Sequence, residues 1–98
     1  MENENSPRQT IVIPIRNEGK FIASTIGFIQ SQDYPKDKLE IIIVDGDSDD
    51  RTVEIVSDMA KSDPCLKVLH NPKRLSSAAR NIGVRAATGE IITFIDGH

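Results

Sequence analysis

The sequence predicts an α/β fold, an open parallel sheet with the element order β-α-β-α-β-α-β. Three observations point to it. Four short apolar runs recur along the 98 residues. Between them lie stretches whose apolar residues repeat at helical spacing. Every connection therefore contains a helix, which is how parallel strands are joined. Right-handed crossovers then build a doubly wound sheet.

Residues 1–9 are polar and read as a flexible N-terminal tail. Residues 10–98 read as the folded part. Thr10-Ile11-Val12-Ile13-Pro14-Ile15 is apolar throughout rather than alternating, the pattern of a strand buried on both faces. Pro14 has no N–H to donate, so ladder pairing is expected to stop there. Asn17-Glu18-Gly19 opens a helix expected to run to about Gln32, with Asn17 as its cap. Phe21, Ile22, Thr25, Ile26 and Ile29 form its apolar face, and Gly27 marks a close approach to the sheet. Pro35 to Lys38 is a turn.

Leu39 to Asp45 is the second buried strand, followed by the acidic loop Gly46-Asp47-Ser48-Asp49-Asp50. A helix follows from about Arg51 to Lys61, capped by Asp50, with Val53, Val56, Met59 and Ala60 inward. Cys65 to His70 alternates more and reads as a strand near the sheet edge. Ser76 to Ala87 is the third helix. Its inward residues Leu75, Ala78, Ala79, Ile82 and Ala86 are mostly small, so it can lie close to the sheet. Gly89 ends it in a left-handed conformation, and Glu90 to Ile95 is the fourth strand.

Composition narrows the function. The chain is 38% hydrophobic and 28% charged with net charge −3, ordinary for a globular domain. It lacks the basic face and stacking aromatics of a nucleic-acid groove. Cys65 is the single cysteine, so no intramolecular disulfide forms, which fits a cytoplasmic setting. No apolar run approaches a membrane span. Any membrane association would come from a segment beyond residue 98.

In open α/β sheets ligands bind beyond the carboxyl ends of the strands. Those ends are Pro14–Glu18, Asp45–Asp50, His70–Arg74 and Asp96–His98. No G-x-G-x-x-G follows the first strand and no P-loop is present, which argues against dinucleotide dehydrogenases and P-loop nucleotidases. Asp45, Asp47 and Asp49 have the spacing of a calcium loop. Asp50 stands where that loop needs Gly and Val56 where it needs Glu, so the calcium reading fails. Asp45, at the end of a buried strand, is a candidate ligand contact. Asp49 and Asp50 read more simply as a solvated, helix-capping turn. Asp96 and His98 flank a glycine and form a candidate metal pair, against the plain reading of a surface Asp and a terminal His. A mixed oxygen and imidazole set suits Mn²⁺ better than Mg²⁺. Lys73 and Arg74 are placed to neutralise a phosphate or simply to be solvated. Ser76 and Ser77 have no paired His and Asp, so a hydrolase triad is not supported.

Ile11-Val12-Ile13-Pro14-Ile15-Arg16-Asn17-Glu18 resembles the first strand and P-x-x-N-E turn of family 2 glycosyltransferases. Leu39 to Asp50 resembles their second strand and V-D-D/G-x-S-x-D loop. Ala79-Arg80-Asn81-Ile82-Gly83 and Ala87-Thr88-Gly89-Glu90-Ile91-Ile92 match the A-R-N-x-G and A-x-G-E-x-I signatures that precede a D-x-D element. Asp96-Gly97-His98 stands at that element. The D-G-H ending and V-D-G loop are similar to members that build bacterial exopolysaccharides.

The resemblance implies the N-terminal half of a GT-A, Rossmann-like fold and a nucleotide-diphosphate-sugar donor. It places Pro14, Arg16 and Glu18 in the nucleoside pocket, Asp45 near the base and Arg74 near the pyrophosphate. Asp96 would contact ribose or sugar and help with the metal, and His98 would be the direct metal ligand. The implied reaction is inverting and uses Mn²⁺ or Mg²⁺, with a glycan or lipid-linked acceptor. The acceptor half and the catalytic base are expected beyond residue 98, so no catalytic residue is assigned. Gly46 replaces the second Asp of the commoner V-D-D, which leaves the base open. The alternative reading is a non-catalytic nucleotide-binding or self-associating α/β module.

Overall fold

A computed structural model of the chain describes residues 6–95. The elements run β1 (Gln9–Ile15), α1 (Ile22–Gln30), a 3₁₀ turn at Lys36–Lys38, β2 (Leu39–Asp45), α2 (Thr52–Ser62), β3 (Leu66–His70), α3 (Ser76–Ala86) and β4 (Ile91–Phe94). The four strands form one parallel sheet in the order β3-β2-β1-β4. Gln9 pairs with Leu39 and Ile91, and Ile41 with Leu66. The expected α/β order holds, and β3 lies at an edge of the described sheet as its alternating sequence suggests. No described helix is long and apolar enough to cross a membrane.

The all-apolar strands are explained by cover on both faces. Ile11, Ile13 and Ile15 of β1 and Leu39, Ile41 and Ile43 of β2 face α1 and α2, where they meet Ile22, Ile26, Ile29 and Val56. Val12, Ile42 and Val44 point the other way, onto Ala79 of α3. Strand residues alternate faces, so a strand covered on both sides carries apolar residues at every position. β2 is buried along its whole length.

Several expectations are corrected. The β1–β2 ladder runs on through Pro14↔Val44 to Ile15↔Asp45. Val12 O accepts from Ile95 N, so Val12 and, two residues on, Pro14 present their backbone polar groups toward β4. There the described ladder ends at Val12↔Phe94, so the missing donor interrupts no pairing. Asn17 does not cap α1, which begins five residues later; its backbone is left-handed at φ 54°. The turn into α1 is made instead by Phe21 and Ile22 N–H groups donating to Glu18 O. Phe21, Val53 and Leu75 are exposed rather than inward. Gly27 has open space where a Cβ would point, whereas Gly83 of α3 lies against Val12, whose Cγ1 would be 2.4 Å from an added Cβ. Gly89 is not left-handed; its amide donates to Thr10 Oγ1 at 2.9 Å, and a Cβ there would strike Thr10.

Residues 6–9, expected in the tail, are tied to the body. Lys38 Nζ donates to Ser6 O and the Tyr34 hydroxyl to Pro7 O. Arg8 Nε donates to Thr88 Oγ1 and its Nη1 to Asp37 O. Beneath them lies a buried polar knot at the amino ends of the strands. Glu40, 1% exposed, accepts from Thr10 Oγ1 (2.7 Å), Thr88 N (2.9 Å) and Lys67 Nζ (2.5 Å). Burial raises the Glu40 pKa, but the bonds from Lys67, Thr88 and Thr10 outweigh it and lower it to about 2.

Candidate nucleotide-binding site

The loops after β1, β2 and β3 leave the sheet at its carboxyl edge and are stitched together by backbone bonds that extend the ladders. Gly46 N–H donates to Ile15 O at 2.8 Å, and Asn71 N–H to Asp45 O at 2.7 Å. Gly46 is wedged between two of them. A Cβ there would lie 3.3 Å from Ile15 O, 3.5 Å from Arg74 Cα and 3.6 Å from Arg16 Cβ. The side chain absent at position 46 is what lets these loops close on one another.

Together they enclose a cavity of about 240 Å³, lined by Pro14, Arg16, Glu18, Gly46, Asn71 and Arg74, with Leu75, Ser76 and Ala79 of the α3 end completing the wall. Four of the residues singled out in the sequence, Pro14, Arg16, Glu18 and Arg74, thus meet on one concave surface. Asp45 does not line it. Its carboxylate is buried below Gly46, where it accepts from the amide of Ser48 at 3.0 Å and from the Ser48 hydroxyl. Asp96 and His98 lie outside the described residues.

The charges around the cavity are paired across loops. Arg74 donates from Nε and Nη2 to Asp47 Oδ2 at 3.2 and 2.8 Å. That guanidinium holds the Asp47 carboxyl below the usual range, and Asp47 raises the pKa of Arg74 in turn. Arg16 Nη2 donates to Asp49 Oδ2 at 3.3 Å. Its Nε is buried and has no hydrogen-bond partner among the described residues. A buried N–H calls for an acceptor, because leaving one without a partner costs about 1–3 kcal/mol. Asp50 accepts from the Thr52 hydroxyl and amide and from Gly19 N–H at 3.2 Å. The Thr52 bonds keep its carboxyl below the usual range. The sequence predicts Asp50 as the N-cap of α2, but Arg51 holds that position without a side-chain cap bond, and Asp50, one residue earlier, accepts from the first helical amide, Thr52 N–H.

Sequence reasoning missed two asparagines here. Asn71, 1% exposed, donates from Nδ2 to Leu75 O and accepts from Lys73 N–H, which ties the turn that presents Arg74. Asn17 accepts from Asp49 and Asp50 N–H. The available signal was the Asn-Pro dipeptide at 71–72 and the tolerance of Asn for left-handed backbone. The described residues hold three non-glycine positions at positive φ, Asn17, Asp47 and Arg74, and each lies in one of these three loops. Such strain gathers where surrounding structure holds a functional surface in place.

The described residues contain no group of three or more His, Cys, Asp or Glu that could hold a metal. The carboxylates of the loop after β2 are engaged by Ser48, Arg74, Arg16 and Thr52.

The family model for glycosyl transferase family 2 matches residues 10–98. The chain belongs to glycosyl transferase family 2. Among its relatives are glycosyltransferase AglE of Haloferax volcanii, 36% identical over 92 residues, and the uncharacterized glycosyltransferase EpsJ of Bacillus subtilis, 37% identical over 91 residues. Each match takes in 93% of this chain, but only 30% of AglE and 26% of EpsJ. Among solved structures, the mannosyltransferase PcManGT from Pyrobaculum calidifontis, in complex with GDP-Man and Mn²⁺, superposes with a TM-score of 0.89 at 36% identity, over 96% of this chain and 28% of its own. TarS 1–349 of S. aureus, in complex with UDP-GlcNAc, gives 0.81 at 26% identity, over 92% of this chain and 26% of its own. The family 2 chain thus spans less than a third of the length of these relatives, and its parallel sheet is part of a GT-A fold.

Proposed function

We propose that this chain binds the nucleotide-diphosphate part of a sugar donor, as the donor-binding part of an inverting glycosyltransferase acting on a glycan or lipid-linked acceptor. The observation that carries the reading is the cavity at the carboxyl edge. Two arginines line it together with Glu18, Pro14 and Leu75, and the buried Nε of Arg16 has no hydrogen-bond partner among the described residues. Guanidinium groups suit the acceptor oxygens of a base or phosphate, and a carboxylate suits a ring N–H or a ribose hydroxyl. Asp45 contributes from below, by fixing Ser48 and hence the loop that carries Asp47 and Asp49.

Divalent metal use is supported by the Mn²⁺ in the PcManGT complex. In this chain Asp96 and His98 would hold Mn²⁺ or Mg²⁺, and the bound ion would neutralise charge on the departing diphosphate. The chain's own residues bind and orient the donor. The bound nucleotide differs among similar proteins, GDP-Man in one and UDP-GlcNAc in another, so both nucleotides belong in the test. Titration calorimetry of the chain with UDP and with GDP in MnCl₂ is expected to show binding of one of them. Arg16→Ala should weaken it about tenfold, as the loss of charge-assisted bonds predicts. His98→Ala should weaken the part of the affinity that depends on Mn²⁺. Binding of neither nucleotide overturns the reading.

A specific observation favours a second reading, self-association. An apolar groove of about 840 Å³ runs between α1 and β1, lined by Ile11, Phe28, Ile29, Tyr34, Leu39 and Ile95. Phe28, Ile91 and Phe94 are exposed beside it or on β4, and the β4 sequence carries no charge or proline to guard it. Light scattering is expected to show more than a monomer at micromolar concentration, and a clean monomer overturns this reading.

A further inference from the structure

We propose that Asn17 is a positioning residue of the donor pocket: it locks the loop after β2 to the loop after β1, and so sets where Arg16 and Glu18 stand. The inference rests on the reading of the cavity as a donor pocket. Arg16 and Glu18 both line that cavity, while Asn17 between them does not. Its left-handed backbone, φ 54°, turns it toward the acidic loop.

There it makes three bonds. Its N–H donates to Ser48 Oγ at 2.9 Å, and its Oδ1 accepts from Asp49 N–H at 2.7 Å and Asp50 N–H at 3.3 Å. Ser48 passes the link on, since its hydroxyl and amide donate to the buried Asp45 carboxylate. Asp49 closes a ring by accepting from Arg16 Nη2 at 3.3 Å. The pocket arginine is thus held at its backbone by its neighbour Asn17 and at its tip by a loop that Asn17 also holds. Asparagine combines the two properties needed here, tolerance of left-handed backbone and a short side-chain oxygen that accepts from two amides.

Two substitutions separate positioning from bulk stability. Asn17→Gly keeps the left-handed turn without steric cost but deletes the acceptor. Asn17→Asp keeps both the turn and an acceptor oxygen. Each variant is compared with wild type by thermal unfolding, by calorimetry with UDP and GDP in MnCl₂, and by amide hydrogen exchange at Asp49 and Asp50. The glycine variant is expected to melt close to wild type while binding the nucleotide about tenfold more weakly and exchanging both amides about tenfold faster, the scale of one or two lost hydrogen bonds. The aspartate variant is expected to return both readouts to within about threefold of wild type, because a carboxylate oxygen accepts from the same amides. Wild-type affinity in the glycine variant, or a loss that the aspartate variant does not rescue, overturns the proposal. If wild type binds neither nucleotide, the donor-pocket reading fails, and amide exchange still decides the lock: unchanged exchange in the glycine variant overturns it, faster exchange upholds it.

Discussion

Replacing Gly83 with alanine tests how α3 comes to lie against the sheet and form a wall of the cavity. An added Cβ would stand 2.4 Å from Val12 Cγ1, 3.0 Å from Cγ2 and 3.2 Å from Cβ. Comfortable carbon contacts begin near 3.5 Å, so the closest pair falls about 1 Å short. Val12 cannot easily give way, because it is fully buried on a strand paired on both sides. Overpacking of this kind costs about 1–3 kcal/mol. Alanine returns about 1 kcal/mol through helix propensity. With Val12 held, the upper part of the range applies, and the net loss is about 2 kcal/mol. Gly27→Ala is the control, since no atom lies within 4 Å of its added Cβ. It should stabilise the chain by up to about 1 kcal/mol. Urea unfolding at constant m-value measures both. In the double variant Val12→Ala, Gly83→Ala the two losses should be less than additive, because the shortened side chain makes room. Equal stability of the two single alanine variants would refute the reasoning. Because α3 carries Ser76 and Ala79 into the cavity wall, Gly83→Ala should also weaken nucleotide binding.

Three further outcomes are expected. Glu40→Gln should reduce the acid dependence of stability: the folded pKa of Glu40 is lowered from 4.5 to about 2, so its contribution is complete above about pH 4.5 and is lost as pH falls toward 2. At pH 7 the loss should be about 2 kcal/mol, less than the full shift implies because Lys67 is half-exposed, and unfolding curves against pH should converge at the acid end. Arg74→Ala should weaken nucleotide affinity about tenfold and Arg74→Lys should recover only part of it, since an ammonium cannot copy a planar fork of donors; equal recovery by lysine would count against the geometry. Asp50→Ala removes the bonds to Thr52 and Gly19 and should lower the melting temperature by a few degrees, with amide exchange at Thr52 and Gly19 reporting the site of loosening.

Much of the fold was legible because burial leaves a local trace. Runs such as Ile41-Ile42-Ile43-Val44 suit a strand covered on both faces, and the helices between them show Ile22, Ile26 and Ile29 or Val56, Met59 and Ala60 at helical spacing. The strand ends then mark the ligand edge, and the resemblance to family 2 glycosyltransferases singled out Pro14, Arg16, Glu18 and Arg74 on it. Local pattern misleads where one residue suits two backbones. Asn-Glu-Gly at 17–19 reads equally as a helix start and as a left-handed turn, and the turn prevails because Asp49 and Asp50 offer their amides from a loop some thirty residues away.

By itself the sequence determined which segments are strands and helices, that the strands run parallel, and at which edge the polar residues collect, because periodicity and composition record burial one residue at a time. Only the tertiary structure decided the strand order β3-β2-β1-β4, the choice of Gly83 over Gly27 as the point of close approach, and the ion pairs Arg16–Asp49 and Arg74–Asp47. These depend on which loops the sheet sets side by side. That adjacency is a property of packing among distant segments, and no single segment carries it.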